Sequence, residues 1–165
     1  MINLYNIISF IGWILIIFFN IRLNPNLLII QIIQSFAIFD VIFAYFKIIK
    51  TNFITSFIQI LSRYFIVWGP FTFGYVPKNV VIILTTVWGL ADSIRYLYYI
   101  NSKNYYFKWL RYNMFIVLYP LGIIFELISL YYSFFRKYLI IFSIIYFIFG
   151  INLYKHMLNQ RLKKN

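Results

Sequence analysis

Long apolar runs separated by short polar interruptions make up most of this chain. Six of them approach roughly 20 residues, the length an α-helix needs to cross a hydrocarbon core of about 30 Å. They are Asn6 to Ile21, Leu27 to Phe46, Ile54 to Phe73, Asn79 to Ile100, Tyr112 to Tyr132 and Leu139 to Tyr154. Helix breakers and turn formers lie between them: Asn24-Pro25, Lys50-Thr51-Asn52, Gly69-Pro70 with Gly74 and Pro77, Asn101 to Asn104, and Arg136-Lys137. Loops this short leave no room for a soluble domain. The pattern predicts an all-α integral membrane protein, six transmembrane helices in a bundle, with residues 1–165 as a single domain.

Composition agrees with a bilayer as the solvent. Of 165 residues, 64% are hydrophobic and only 11% charged, more apolar surface than one soluble domain of this size could bury. Aromatics reach 24%, so no single aromatic residue carries weight by itself. The absence of cysteine excludes disulfides, thiolate metal sites and cysteine-nucleophile phosphatases or proteases. With one histidine, a histidine-rich metal centre is excluded too.

The net charge of +12 does not point to nucleic acid as a partner, because the bases are scattered between apolar runs and form no stripe. They read as topology signals. One side of the predicted bundle collects Lys47, Lys50, Arg95, Lys103, Lys108, Arg111, Lys155, Arg161, Lys163 and Lys164; the other has Arg22, Lys78, Arg136 and Lys137. That excess places both termini in the cytosol. No Lys or Arg precedes the first apolar run and no small-residue cleavage site follows it, so it reads as a retained helix rather than a signal peptide. The end Arg161-Leu162-Lys163-Lys164-Asn165 loosely resembles a dibasic endoplasmic-reticulum retrieval signal, beside the plainer reading of a solvated basic tail.

All three acidic residues, Asp40, Asp92 and Glu126, fall inside apolar segments. A charge there costs several kcal/mol (about 2.5 or more) unless it is paired, hydrated or neutralised. Gln59 and Arg63 are four apart on the third predicted helix and share a face, while Asp92 and Arg95 are three apart on the fourth. The fifth predicted helix begins at Arg111 and carries Tyr119, Pro120, Gly122 and Glu126. Seven residues on an α-helix are nearly two turns, about 10 Å of rise, so Tyr119 and Glu126 share a face with Gly122 between them. Pro120 removes a backbone donor and bends the helix, and Gly122 allows close approach of a ligand or neighbouring backbone. These residues predict a pocket opening toward the cytosol, with Glu126 deepest. Two readings stand side by side: the acids neutralise Arg63, Arg95 and Arg111 and fix helix register, or they mark a site. Glu126 favours the second, and Asp92 with Arg95 is open to both.

The run Leu110-Arg111-Tyr112 through Val117-Leu118-Tyr119-Pro120-Leu121-Gly122, closing on Glu126, resembles the signature of the membrane 3-hydroxyacyl-CoA dehydratases, also called the protein-tyrosine-phosphatase-like family. Gln59-Ile60-Leu61-Ser62-Arg63 resembles that family's Q-x-x-S-R block. Trp88 to Tyr96 resembles its W-s-x-x-E-x-I-R-Y block, and Phe39-Asp40-Val41 sits where the family has an acidic residue. Together the blocks span about two thirds of the chain in the right order. The resemblance implies a six-helix protein of the endoplasmic reticulum membrane that removes water from (3R)-3-hydroxyacyl-CoA to give trans-2-enoyl-CoA, the third step of very-long-chain fatty acid elongation. It implies that Tyr119 and Glu126 are catalytic, with Asp40, Gln59, Arg63, Asp92, Arg95, Arg111 and Gly122 binding substrate or supporting. It also implies a long-chain 3-hydroxyacyl-CoA substrate and, as partners, the condensing enzyme and reductases of elongation. Asp40 and Asp92 depart from the family by standing where Glu is usual, and Phe43 by standing where many relatives have His.

Such a dehydration needs a C2 proton removed, the thioester carbonyl polarised and the C3 hydroxyl protonated as it leaves. Two proton-handling groups suffice, and no metal or redox cofactor is needed. Glu126 and Tyr119 can share these duties in either order. Arg111, with Lys103 and Lys108 at the mouth, can hold coenzyme A phosphates. Two rival classes are a catalytically silent relative that scaffolds the elongation enzymes, and a small transporter lined by the same charges; the second predicts inverted repeats and broken helices in both halves.

Overall fold

The computed structural model describes residues 2–49 and 51–162; Lys50 and the Lys163-Lys164 pair of the basic end lie outside them. The described residues form an all-helical chain. In order, α1 covers Ile2–Ile21, α2 Leu27–Phe36, α3 Ile38–Tyr45, α4 Phe53–Trp68, α5 Pro70–Phe73, α6 Lys78–Ile100, α7 Tyr105–Tyr131 and α8 Leu139–Leu162, with a 3₁₀ turn at Phe134–Tyr138 before α8.

The predicted interruptions act mainly as helix starts. Asn26 accepts a hydrogen bond from the Ile29 N–H (3.2 Å), Asn52 from Ile54 (2.9 Å) and Asn104 from Tyr106 (2.9 Å), each occupying one donor that a helix N-terminus leaves unpaired. Helix ends are made differently. α1 and α3 stop at Leu23 and Lys47, both in the left-handed region with φ of 52° and 54°. The next amide in each case reaches back to close the last turn, Asn24 N to Phe19 O at 3.0 Å and Ile48 N to Phe43 O at 2.9 Å.

Five helical stretches are long and apolar enough to cross a membrane: Ile2–Ile21, Leu27–Tyr45, Lys78–Ile100, Tyr105–Tyr131 and Phe134–Asn159. The stretch expected third, Ile54 to Phe73, is divided. Gly69 and Pro70 end α4 after 16 residues, and α5 follows as a separate turn. The fifth helix also differs from expectation: it starts at Tyr105, capped by Asn104, so Arg111 lies two turns inside α7 rather than at its start.

α1 and α6 run antiparallel. Asn20 near the end of α1 meets Thr85 and Thr86 early in α6, and Tyr5 near the start of α1 meets Tyr96 late in α6. α1 packs along α6, α6 along α7 and α7 along α8, while α4 lies against α2, α3 and α7. The core where they meet includes Trp13, Ile16, Ile30, Ile66, Leu84, Trp88, Tyr96 and Leu130. At Gly89 the α1 and α6 backbones approach closely; a methyl group there would lie 2.9 Å from Ile17 Cγ1 and 3.5 Å from the Trp13 carbonyl oxygen. Small residues at such crossings let membrane helices pack by dispersion where no hydrophobic force separates them from lipid.

Candidate active site

Each helix brings its polar residues to the interior at helical spacing. On α6 the stripe is Trp88, Asp92, Arg95 with Tyr96, and Tyr99; on α7 it is Phe115, Tyr119, Gly122 and Glu126; on α4 it is Ser56, Gln59 and Arg63. These stripes enclose a cavity of about 480 Å³. It runs from the bundle end that carries Asn3, Asn52 and Arg111 inward to Trp88, Gly122 and Glu126. Of the nine residues singled out from sequence, Gln59, Arg63, Asp92, Arg95, Arg111, Tyr119, Gly122 and Glu126 line this cavity. Asp40 is buried behind it.

Four of the charges form one connected chain. Arg63 Nη1 lies 2.6 Å from Asp92 Oδ2, Asp92 Oδ1 lies 3.3 Å from Arg95 Nη2, and that nitrogen donates to Asp40 Oδ2 at 2.7 Å. Two hydroxyls complete Asp40: Tyr5 donates to Oδ1 at 3.0 Å and Tyr96 to Oδ2 at 2.8 Å. Two cations and two anions sum to zero, the arrangement under which buried charge is tolerated. Asp40 and Asp92 are therefore the counter-charges of Arg63 and Arg95, and Asp92 serves both arginines.

Glu126 stands outside that chain. Among the described residues it makes no ion pair; instead Trp88 Nε1 donates to Oε1 at 3.0 Å and the Tyr146 hydroxyl donates to Oε2 at 2.5 Å. Each carboxyl oxygen is thus held from a different helix, α6 on one side and α8 on the other. The carboxyl group is 5% exposed as a residue and borders the cavity, so it is fixed in direction while still facing space a substrate could fill. Gly122 is not a packing glycine. A methyl group placed there would meet nothing nearer than Val87 Cγ1 at 4.0 Å, so no neighbouring backbone demands glycine and the room belongs to the cavity. Tyr119 lies on the cavity wall one turn before Gly122, its ring stacked with Tyr154 at 6.3 Å between centroids. Pro120 sits on the exposed side of α7, which continues through it.

Among the described residues Arg111 pairs with no acid either. Its guanidinium lies 4.5 Å over the Tyr98 ring and 4.7 Å over Tyr99, and Nη2 donates to the Tyr99 hydroxyl at 3.3 Å. Nη1 is buried without a hydrogen-bond partner. An arginine held on aromatic faces with a donor to spare can donate to an acceptor group at the mouth of the cavity.

Trp88, Tyr146, Tyr5 and Tyr96 are contacts of the acids that the sequence pattern does not mark as such. Trp88 precedes Asp92 by one turn and could have been found from that spacing. Tyr146 carries no such sign, being one of the chain's 16 tyrosines in the largely apolar first half of α8.

Residues 34–165 match the family model described as "Protein tyrosine phosphatase-like protein, PTPLA". Among curated proteins, the chain is 31% identical over 109 residues to the very-long-chain (3R)-3-hydroxyacyl-CoA dehydratase 1 of Canis lupus familiaris, covering 62% of this chain and 43% of that one. It is 34% identical over 101 residues to a probable very-long-chain (3R)-3-hydroxyacyl-CoA dehydratase of Schizosaccharomyces pombe, 57% of this chain and 49% of the other. Against the dehydratase 2 of Mus musculus it is 27% identical over 165 aligned positions, 81% of this chain and 64% of that one. The match thus spans about half the length of the first two relatives. No solved structure matches.

Proposed function

This chain belongs to the protein tyrosine phosphatase-like family, and from that premise we propose that it is a (3R)-3-hydroxyacyl-CoA dehydratase, a hydro-lyase that forms trans-2-enoyl-CoA and water. The observation that carries the reading is Glu126: a buried carboxyl group free of any ion pair among the described residues, held by Trp88 and Tyr146, and facing a cavity it shares with Tyr119. A carboxylate that merely balanced an arginine would sit in the charge chain, as Asp40 and Asp92 do.

In the reaction, the C2–H and C3–O bonds break, the C2=C3 bond forms, and the hydroxyl leaves as water. Glu126 and Tyr119 divide the two proton transfers, one taking the C2 proton and the other delivering a proton to the departing oxygen. They lie about two turns apart on one face of α7 with open space between them at Gly122, so a substrate seated at that glycine sets its C2 and C3 atoms between the two side chains. Arg63 and Arg95, held in place by Asp92 and Asp40, offer oriented N–H donors on the facing wall and favour the charge that develops on the thioester oxygen. Arg111, with Lys103 and Lys108, receives the coenzyme A phosphates at the mouth.

We further propose that α4 with α5 completes a sixth crossing, that both termini are cytosolic, and that the protein acts in the endoplasmic reticulum membrane beside the condensing enzyme and reductases of very-long-chain fatty acid elongation. Lys47, Lys103, Lys108 and Lys155 support the orientation by falling at the bundle end that opens into the cavity. The test is conversion of 3-hydroxyacyl-CoA by purified protein. Glu126→Gln and Tyr119→Phe should each abolish it while the protein remains inserted; turnover like that of the unmodified protein in either variant overturns the assignment.

A further inference from the structure

The Tyr119 and Glu126 stripe borders two cavities. Besides the large one, a space of about 80 Å³ lies between α4, α7 and α8, bounded by Ile58, Ser62, Ile145 and Phe149. Gln59, Arg63, Tyr119, Ile123 and Glu126 line both, so the two spaces meet at the proposed reacting groups. α4 and α8 touch where Phe65 stacks on Phe142, with ring centroids 5.2 Å apart and planes 26° apart. Two turns along α4 from that contact, at Ile58, the slot begins. Ile145 and Phe149 at its outer edge are 42% and 44% exposed, and α8 as a whole turns nearly all of its apolar surface outward, where a bilayer would lie. Gly150 keeps the inner end open, since a methyl group there would come within 3.0 Å of Ile123 Cδ1.

The two cavities differ in chemistry. The large one is rimmed by arginines and amides at the mouth and, at about 480 Å³, falls in the range that holds a drug-sized ligand. A coenzyme A thioester with a very long acyl chain exceeds that space. The slot's outer wall is isoleucine and phenylalanine.

Resting on the dehydratase reading, we propose that this slot is the exit through which the hydrocarbon tail of the acyl substrate passes from the reacting groups into the bilayer, so that Ile58, Ile145 and Phe149 set which chain lengths are accepted. The head of the substrate enters from the aqueous mouth, the C2 and C3 atoms stop beside Glu126 and Tyr119, and the tail leaves sideways between α4 and α8. Lipid then solvates the carbons the protein has no room for.

The experiment measures dehydration of medium-chain and very-long-chain 3-hydroxyacyl-CoA by the full chain in lipid nanodiscs. Ile145→Trp and Ile58→Trp, which fill the slot, should raise KM for the very-long-chain substrate by about tenfold or more, the factor a methylene-sized misfit makes in an apolar pocket, and leave kcat/KM for the medium-chain substrate unchanged. Equal losses on both substrates, or none on either, overturn the slot. If the unmodified protein converts neither substrate, the dehydratase reading itself fails. A second measurement does not depend on the variants folding: a very-long-chain acyl-CoA with a mid-chain diazirine should label Ile58 or the segment 145–149 of the unmodified protein. Labelling confined to α6 and the mouth overturns the proposal.

Discussion

Replacing Tyr146 by Phe removes one oxygen atom and leaves the ring in place. That oxygen is half of what holds Glu126. The Tyr146 hydroxyl lies 2.5 Å from Oε2, at the short end of the range for O–H donors to carboxylates, while Oε1 is held separately by Trp88. A hydrogen bond to a charged acceptor contributes about 1.5–3 kcal/mol. Because the bond is made in the resting protein, its loss frees the carboxyl group to rotate about the Trp88 contact instead of removing it. At about 1.4 kcal/mol per factor of ten, kcat should fall roughly 10- to 150-fold. KM should barely move, since the hydroxyl is occupied by Glu126 rather than offered to substrate. Steady-state dehydration kinetics in nanodiscs read both constants, with Tyr138→Phe, at an exposed tyrosine of the same region, as the comparison. Equal kcat in Tyr146→Phe and the unmodified protein would refute the claim that Glu126 acts from this held position; so would a loss confined to KM.

Asp92→Asn leaves Arg63 without a carboxylate partner and Arg95 with Asp40 alone, and should destabilise the protein by about 3 kcal/mol; a detergent-phase thermal midpoint equal to that of the unmodified protein would contradict the charge chain. Gly89→Val pushes α1 off α6 and should cost about 1–3 kcal/mol, visible as a lower thermal midpoint. Arg111→Lys keeps the charge but loses the stacking on Tyr98 and Tyr99, and should raise KM for the CoA thioester by roughly tenfold, equivalent to about 1.4 kcal/mol, with kcat unchanged; an effect on kcat alone would move Arg111 from binding to chemistry.

Helix positions were largely legible because a bilayer imposes a length and because the breakers at 24–25 and 50–52 directly precede helix starts in space, whereas the fifth helix, expected to begin at Arg111, is capped by Asn104. α4 was a second exception. Its apolar pattern runs on past Gly69-Pro70, while the backbone breaks there. The site was legible where chemistry is rare: three acids in 165 residues cannot be background. It was not legible where chemistry is common. The inward face of α1 is Tyr5, Asn6, Ser9, Gly12, Trp13, Ile16 and Asn20, a clean helical stripe. In a membrane the interior is marked by small and polar residues, and lipid takes the hydrophobic ones. Reading isoleucine as core and asparagine as bias hides that stripe. Tyr146 shows the same limit, since only the packing of α8 on α7 tells it from its neighbours.

The packing of α1 against α6 also sets a schedule for biogenesis. Asn20 and Thr85 are 65 residues apart, and Tyr5 and Tyr96 are 91 apart. At about 5–20 residues per second, α1 waits some seconds in the membrane before α6 is made, with Asn20 lacking its α6 partners even after Asp40 has emerged to meet Tyr5. During that interval the helix is the kind of client that a membrane-embedded chaperone or the translocon's lateral gate would retain.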